Sequence, residues 1–144
     1  TRGIELAVNK RRVFFDGLGV FTNVAWLDAE ILRNDNVPES VGKTFPRVPE
    51  WRVKCVLDYA PTDKWALTFA THYASHQFGT LDNSDTEGGY GGIDEFVVFD
   101  TTFTYRLPTN FVASVGIEHL TDESYHVSHP YTRRKYLAEI KWLF

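Results

Sequence analysis

Apolar residues recur at every second position through most of this chain, and helical spacing is scarce. That alternation belongs to strands with one apolar and one polar face. Seven runs carry it: 2–13, 18–31, 50–59, 65–78, 94–107, 111–118 and 134–144. Turn chemistry separates them, and the connections alternate in length. FFDG (14–17), APTDK (60–64) and PTN (108–110) are short, whereas 32–49, 79–93 and 119–133 are long. Antiparallel up-and-down strands with short turns at one end and long loops at the other are the pattern of an all-β transmembrane β-barrel. A soluble sandwich also gives uneven loops, but does not require them to alternate. Most runs exceed the usual five or six residues of a strand, and suit the roughly nine to eleven that a tilted strand needs to cross a bilayer.

Faces follow from parity. Trp65, Leu67, Phe69, Thr71 and Tyr73 oppose Ala66, Thr68, Ala70, His72, Ala74 and His76. Val97, Phe99, Thr101, Phe103, Tyr105 and Leu107 oppose Val98, Asp100, Thr102, Thr104 and Arg106. In 18–31, Val20, Thr22, Val24 and Trp26 look outward, yet Phe21, Ala25 and Leu27 are apolar too, so the register there stays open. The polar face carries Arg52, Lys54, Asp58, Asp100, Arg106, Glu118, Lys135, Glu139 and Lys141. A soluble barrel filled by side chains does not hold so many ions, whereas a wet or plugged lumen does. Bacterial single-chain barrels have an even number of strands and no open edge, so the seven runs read as a fragment whose other strands precede Thr1.

Composition sharpens this picture. Aromatic residues make up 15% of the chain, yet mean hydropathy is only -0.27, as expected where aromatics form interfacial girdles rather than long apolar runs. No segment approaches the roughly eighteen apolar residues of a spanning helix, and TRGIELAVNKRRV has no apolar core of the signal-peptide type. A net charge of -4 argues against nucleic acid as a partner. Cys55 is the single cysteine, so no internal disulfide is possible, and it reads as a small apolar strand residue.

The segment VGIEHLTDESYHVSHPYTRRKYLAEIKWLF (115–144) resembles the C-terminal pattern of the TonB-dependent outer-membrane receptors. In that pattern an apolar strand enters Asn-Leu-[Phe/Thr]-Asp-x-x-Tyr, a loop follows, and the last strand ends in Phe. Gly116, Ile117, Leu120, Thr121, Asp122, Tyr125, Arg134 and Phe144 match. The opening TRGIEL, AWLDAEI (25–31) and FPRVPEW (45–51) are similar to further landmarks of the family, in its order. His119 stands where Asn is usual, and Arg133 where Gly is common. The resemblance implies that residues 1–144 are the last seven strands of a barrel of about twenty-two, in the bacterial outer membrane, with plug and TonB-contacting box outside them. It implies active uptake of a scarce ligand, most often a ferric siderophore, driven by the TonB complex acting on the plug. The long loops would then be extracellular. Other ligands of the family, haem or cobalamin, remain open. So do a passive porin-type barrel without a plug and a soluble sandwich or lipocalin-like binding module.

Several residues are candidates for contact with ligand. His72 and His76, four apart on one predicted strand, share the polar face and suit a metal, a haem or an anionic chelate, or simply hydrogen bonds between wall and plug. GTLDNSDTEGGYGGIDE (79–95) concentrates carboxylates without the offsets of a calcium loop, so it reads as a mobile, solvated loop with Tyr90 as an aromatic contact. SYHVSHPYTRR (124–134) gathers His126, His129, Tyr131 and Arg133 beside Tyr125. Aromatic and cationic groups together suit an anionic iron chelate, and the plainer reading is a loop ordered by packing. Nowhere do a nucleophile, a base and an orienting group assemble, so no enzyme, catalytic residue, metal centre or cofactor is expected. In the last run, Tyr136, Ile140, Trp142 and Phe144 resemble the signal read by the barrel-assembly machinery, and the same stripe would face outer-membrane lipid.

Overall fold

The computed structural model describes residues 1–85 and 87–144. Six long strands come first: β1 (Arg2–Arg11), β2 (Leu18–Asp28), β3 (Trp51–Thr62), β4 (Trp65–Ala74), β5 (Phe96–Arg106) and β6 (Phe111–Glu118). Two short strands, β7 (His126–Val127) and β8 (His129–Pro130), form a small hairpin, and β9 (Lys135–Trp142) closes the chain. The long strands make one antiparallel sheet in the order β1-β2-β3-β4-β5-β6-β9, open at β1 and β9. Among the described residues the only helical element is the short turn Pro38–Ser40.

Register carries the alternation across the sheet. Val20 pairs with Leu57, Leu57 with Phe69, Phe69 with Thr101, Thr101 with Ile117 and Ile117 with Tyr136, so one row of side chains crosses six strands on the same face. This settles β2: Val20, Thr22, Val24 and Trp26 lie on the apolar face, and Phe21, Ala25 and Leu27 on the other. Leu67, Phe69 and Phe103 on the apolar face are exposed, and at the edge Ile140 is 76% exposed. So broad an apolar surface is unfavourable in water and is the stable arrangement against hydrocarbon. At the short-turn end Tyr59 packs edge-on against Trp65 at 5.5 Å, and Phe111 stacks on Trp142. Trp26 and Trp51 meet at the long-loop end, so aromatics mark both margins.

The opposite face is joined by polar pairs. Asn23 Nδ2 donates to Glu5 Oε1 at 2.6 Å, Thr68 Oγ1 donates to Asp58, and Lys135 Nζ lies 3.3 Å from Glu118. These are the cross-strand partners that sheets use. The expected pairing of lumen charges is therefore seen at Glu118 and Lys135.

Several strand ends differ from expectation, among them β1 at Arg11, β2 at Asp28 and β3 at Thr62, and two of the differences bear on candidate residues. Alternation continues to Phe78, but the continuous ladder stops at Ala74, because the Ser75 Oγ accepts the Trp51 N–H at 3.0 Å and the Ser75 N–H donates to the Trp51 carbonyl, leaving only an isolated bridge from Gln77 to Ile93 beyond. His76 thus lies beyond the strand that carries His72. β9 ends at Trp142, although the Leu143 N–H still donates to the Asn110 carbonyl at 2.8 Å and Phe144 projects fully into the surroundings.

Well-buried residues are few, and they cluster toward the long loops: Ala29, Ile31, Ser40, Pro49, Ala74, Gly92, Ile93, Asp94, His119 and Tyr125. The loops are stitched together. Thr44 N donates to Asn83 Oδ1 and Asn83 Nδ2 returns a bond to the Thr44 carbonyl, tying 32–49 to 79–93. Gly91 N donates to the Ser128 carbonyl and Ser128 N to that of Gly92, tying 79–93 to 119–133. The segment expected to be a free solvated loop is therefore held on both sides. Turn carboxylates make this possible, since Asp85 accepts from Gly79 and Thr80 and leaves the chain a fixed shape.

Candidate functional site

Beneath the stitched loops, on the polar face, lies a depression of about 240 Å³. β4 brings His72 to it, β5 brings Asp100, and the end of β6 brings Glu118 and His119; Tyr131 and Arg133 descend from the last long loop. Its wall is a series of rings. His72 meets Phe96 edge-on at 5.3 Å; Phe96 stacks on Tyr125 at 4.5 Å, and Tyr125 stacks on Tyr131 at 4.9 Å with 22° between planes. His119 meets Tyr125 edge-on at 5.6 Å. Offset stacks of this kind fix ring orientation as well as adding dispersion. Tyr131 is 53% exposed at the open end of the stack. Burial, then the neighbouring Tyr131 and Asp100, push the Tyr125 hydroxyl up to about 12, so it stays protonated.

His119 occupies the left-handed backbone region with φ 58°, where Asn is more at ease than most residues. Asp100 Oδ1 secures it by accepting its N–H at 2.8 Å. The His119 ring is almost fully buried, with Nδ1 3.4 Å from the Thr132 carbonyl and Nε2 without a partner among the described residues. A carbonyl only accepts, so Nδ1 carries the proton in that contact.

Arg133 is not a free cation. Its Nε and Nη2 donate to the Asp122 carbonyl at 3.1 and 2.6 Å, and Nε lies 3.3 Å from the Asp122 carboxylate. Asp122 also accepts from the Arg134 N–H at 3.0 Å. That backbone bond, helped by the charges of Arg133 and Arg134 and opposed by burial, holds its carboxyl below the usual range.

The other candidates lie apart. His76 sits with Nδ1 2.9 Å from a Glu87 carboxylate oxygen, but off the line a ring N–H bond needs, so the contact is not a hydrogen bond. Tyr90, 79% exposed, stands between two imidazoles, 6.3 Å from His126 and 5.8 Å from His129. Asp94 anchors this group: one oxygen accepts the Gly88 N–H at 2.6 Å, the other the His126 N–H at 2.7 Å, with His126 Nδ1 at 3.1 Å. Burial works to raise the Asp94 carboxyl, but the Gly88 and His126 donors outweigh it and leave it below the usual range.

Six of the seven candidates thus fall into two groups, His72 with Tyr131 and Arg133, and Tyr90 with His126 and His129, and His76 joins neither. The sequence reading places Asp100, Glu118 and Lys135 on the polar face without assigning them to a site, and treats His119 only as a departure from a motif. That departure was the available signal. Tyr136, Ile140 and Trp142 lie on the exposed edge strand β9 and Phe144 just past it, on the face opposite the depression. Among the described residues no three His, Cys, Asp or Glu side chains converge to hold a metal ion. A larger hollow of about 850 Å³ lies at the short-turn end, lined in part by Arg11, Asp16, Gly19, Phe21 and Asp58, and brings together no comparable set of rings.

The family described as TonB dependent receptor-like, beta-barrel, matches residues 1–118. The siderophore receptor PiuA from Acinetobacter baumannii is similar in structure, with TM-score 0.75 and 18% identity over 94% of this chain and 19% of that one. The ferric-catecholate import receptor Fiu from K12 E. coli gives TM-score 0.74 and 21% identity over 94% of this chain and 20% of that one. The ferric yersiniabactin uptake receptor FyuA from Yersinia pestis gives 0.71 and 19%, over 96% and 21%. The chain therefore spans about a fifth of the length of these receptors. No curated protein sequence matches it significantly.

Proposed function

The chain belongs to the TonB-dependent receptor β-barrel family, and from that premise we propose that it is part of the wall of an outer-membrane receptor that imports a scarce ligand, a ferric siderophore. The seven strands are a segment of a larger barrel, with the long loops outside the cell and the short turns in the periplasm. The observation that carries this reading is the ringed depression beneath stitched loops, set on the polar side of a sheet whose other side suits lipid.

In this reading the apolar face contacts outer-membrane lipid and the polar face lines the lumen. Ligand meets Tyr90, His126 and His129 at the loop surface and His72, Tyr131 and Arg133 deeper in. The rings supply contact area at low conformational cost, because each is already fixed by its neighbours. Arg133 contributes mainly by holding the loop through Asp122, and its exposed remainder adds positive potential. Nothing in this arrangement transforms the ligand; the family and the similar structures are receptors. Direction would come from a plug moved by the TonB complex, and assembly from recognition of the Tyr136, Ile140, Trp142 and Phe144 stripe by the barrel-assembly machinery.

The test is uptake of radiolabelled ferric chelates, haem and cobalamin by cells whose own receptors are deleted and which express the full receptor. Uptake of one of the ferric chelates that stops when TonB is removed is expected. Accumulation that persists without TonB would favour a passive barrel, and uptake of haem or cobalamin alone would move the ligand class.

A further inference from the structure

The β1–β2 turn presents a second, unrelated surface. Arg12 (φ 59°) and Phe14 (φ 66°) both lie in the left-handed region, and Gly17 (φ 87°) completes the reversal. Gly17 has no room for a side chain, since a Cβ would stand 2.7 Å from the Ala60 carbonyl oxygen. Bulky residues seldom adopt that backbone, and here it persists while leaving Phe14 93% exposed. Phe15 packs edge-on against Tyr59 at 5.6 Å, Tyr59 against Trp65, and Trp65 approaches Phe103 at 6.1 Å. The turn therefore continues the outward aromatic band past the end of the strands.

Cations accompany it. Lys10 shares the outward parity of Ile4, Leu6 and Val8, Arg11 has the opposite parity and faces the lumen side, and Arg12 lies just past the end of β1 in the turn itself. Neither Lys10 nor Arg12 forms an ion pair among the described residues, in contrast to Arg2 with Asp28 or Lys135 with Glu118. Asp16 is the only carboxylate in the turn. Residues 10–17 thus hold Lys10, Arg11 and Arg12 against Asp16, whereas the loop 79–95 at the other end has five carboxylates and no Lys or Arg.

We propose that this turn docks the headgroup of an anionic phospholipid, with Lys10 and Arg12 at the phosphate and Phe14 and Phe15 in the adjoining acyl boundary. Aromatic rings favour that boundary, long cationic side chains reach from it to phosphate, and each basic residue near an anionic surface adds to attraction. A zwitterionic headgroup brings its own cation and would leave part of this charge uncompensated. The proposal rests on the membrane-spanning reading of the sheet, and is independent of which ligand the receptor carries.

The full receptor is reconstituted in phosphatidylcholine bilayers doped with brominated phosphatidylglycerol or brominated phosphatidylcholine. The Trp65 signal is isolated by subtracting a Trp65→Phe variant. Brominated phosphatidylglycerol is expected to quench Trp65 at about tenfold lower mole fraction, and Lys10→Gln with Arg12→Asn to abolish that preference. Asn tolerates the left-handed backbone at position 12, and an assembled, heat-modifiable band confirms that the variant has folded. Equal quenching by the two lipids, or a preference that survives the double variant, would overturn the proposal. Absence of quenching by either lipid would overturn it together with the membrane reading. Ferric-chelate uptake by the double variant is expected to stay at the wild-type level, which separates this proposal from the ligand reading.

Discussion

Along β4, Trp65, Leu67, Phe69 and Thr71 look one way, and Ala66, Thr68, Ala70 and His72 look the other. The first set joins an apolar surface shared by neighbouring strands, and the second faces small residues, hydroxyls and ions. One backbone serves two solvents, and the pleat alone separates them. The contrast shows why a sheet with few buried residues can still be a stable wall: its apolar side is matched to lipid instead of to a core.

The strongest way to break this contrast is to put charge on the wrong face. Phe69→Arg is expected to destabilise the reconstituted receptor by about 2–4 kcal/mol in urea titrations, as arginine does at the lipid face near the bilayer midplane. Ala70→Arg, one residue away and opposite Asp100 in register, is expected to change stability by less than about 0.5 kcal/mol. Similar losses at the two positions would undo the assignment of faces.

Deleting Phe144 is the next largest test, because it probes the outward stripe at the end of the chain. Surface labelling of whole cells should find several-fold less assembled receptor, with the affinity of the molecules that do assemble unchanged.

A local effect is expected from Asp94→Asn, which weakens the anchor between 79–93 and the β7–β8 hairpin at a site where lost hydrogen bonds are worth about 1–3 kcal/mol. Hydrogen exchange should accelerate at Gly88 and His126 and remain unchanged in β3 and β4. The pH dependence has a definite sign. Because the folded Asp94 carboxyl is held below its usual range, its stabilisation is fully present above the unfolded value of about 4 and is lost as pH falls through the depressed folded value. The unmodified loops should therefore stay protected at neutral pH and open only in acid below about pH 4.

Tyr131→Leu sharpens the polar side with the smallest change. It removes the exposed end of the ring stack, so ligand affinity should fall about threefold to tenfold in a binding titration, with little change in stability.

The strands and turns were legible because a period of two is imposed by backbone geometry and needs no knowledge of distant residues. The register of β2 was not, since Phe21, Ala25 and Leu27 make both of its faces apolar; only pairing with Leu57 and Val53 selects between them. Alternation outlasts pairing at His76, and the Ser75 hydroxyl that ends the ladder has no periodic signature. The stitched loops depend on contacts such as Asn83 with Thr44 and His126 with Asp94, separated by 39 and 32 residues, which local pattern cannot reveal. His119 announced itself only as an unusual residue in a familiar motif. Its burial and its bond to Asp100 are consequences of the fold.

The most direct test of the two-solvent account is a nitroxide scan of residues 65–74 in the full receptor, reconstituted in bilayers on a Cys55→Ser background. Oxygen accessibility is expected to peak at Leu67, Phe69 and Thr71, and accessibility to a water-soluble nickel chelate at Ala66, Thr68 and Ala70, with the two profiles in antiphase. Profiles that rise and fall together, or show no period of two, would contradict it.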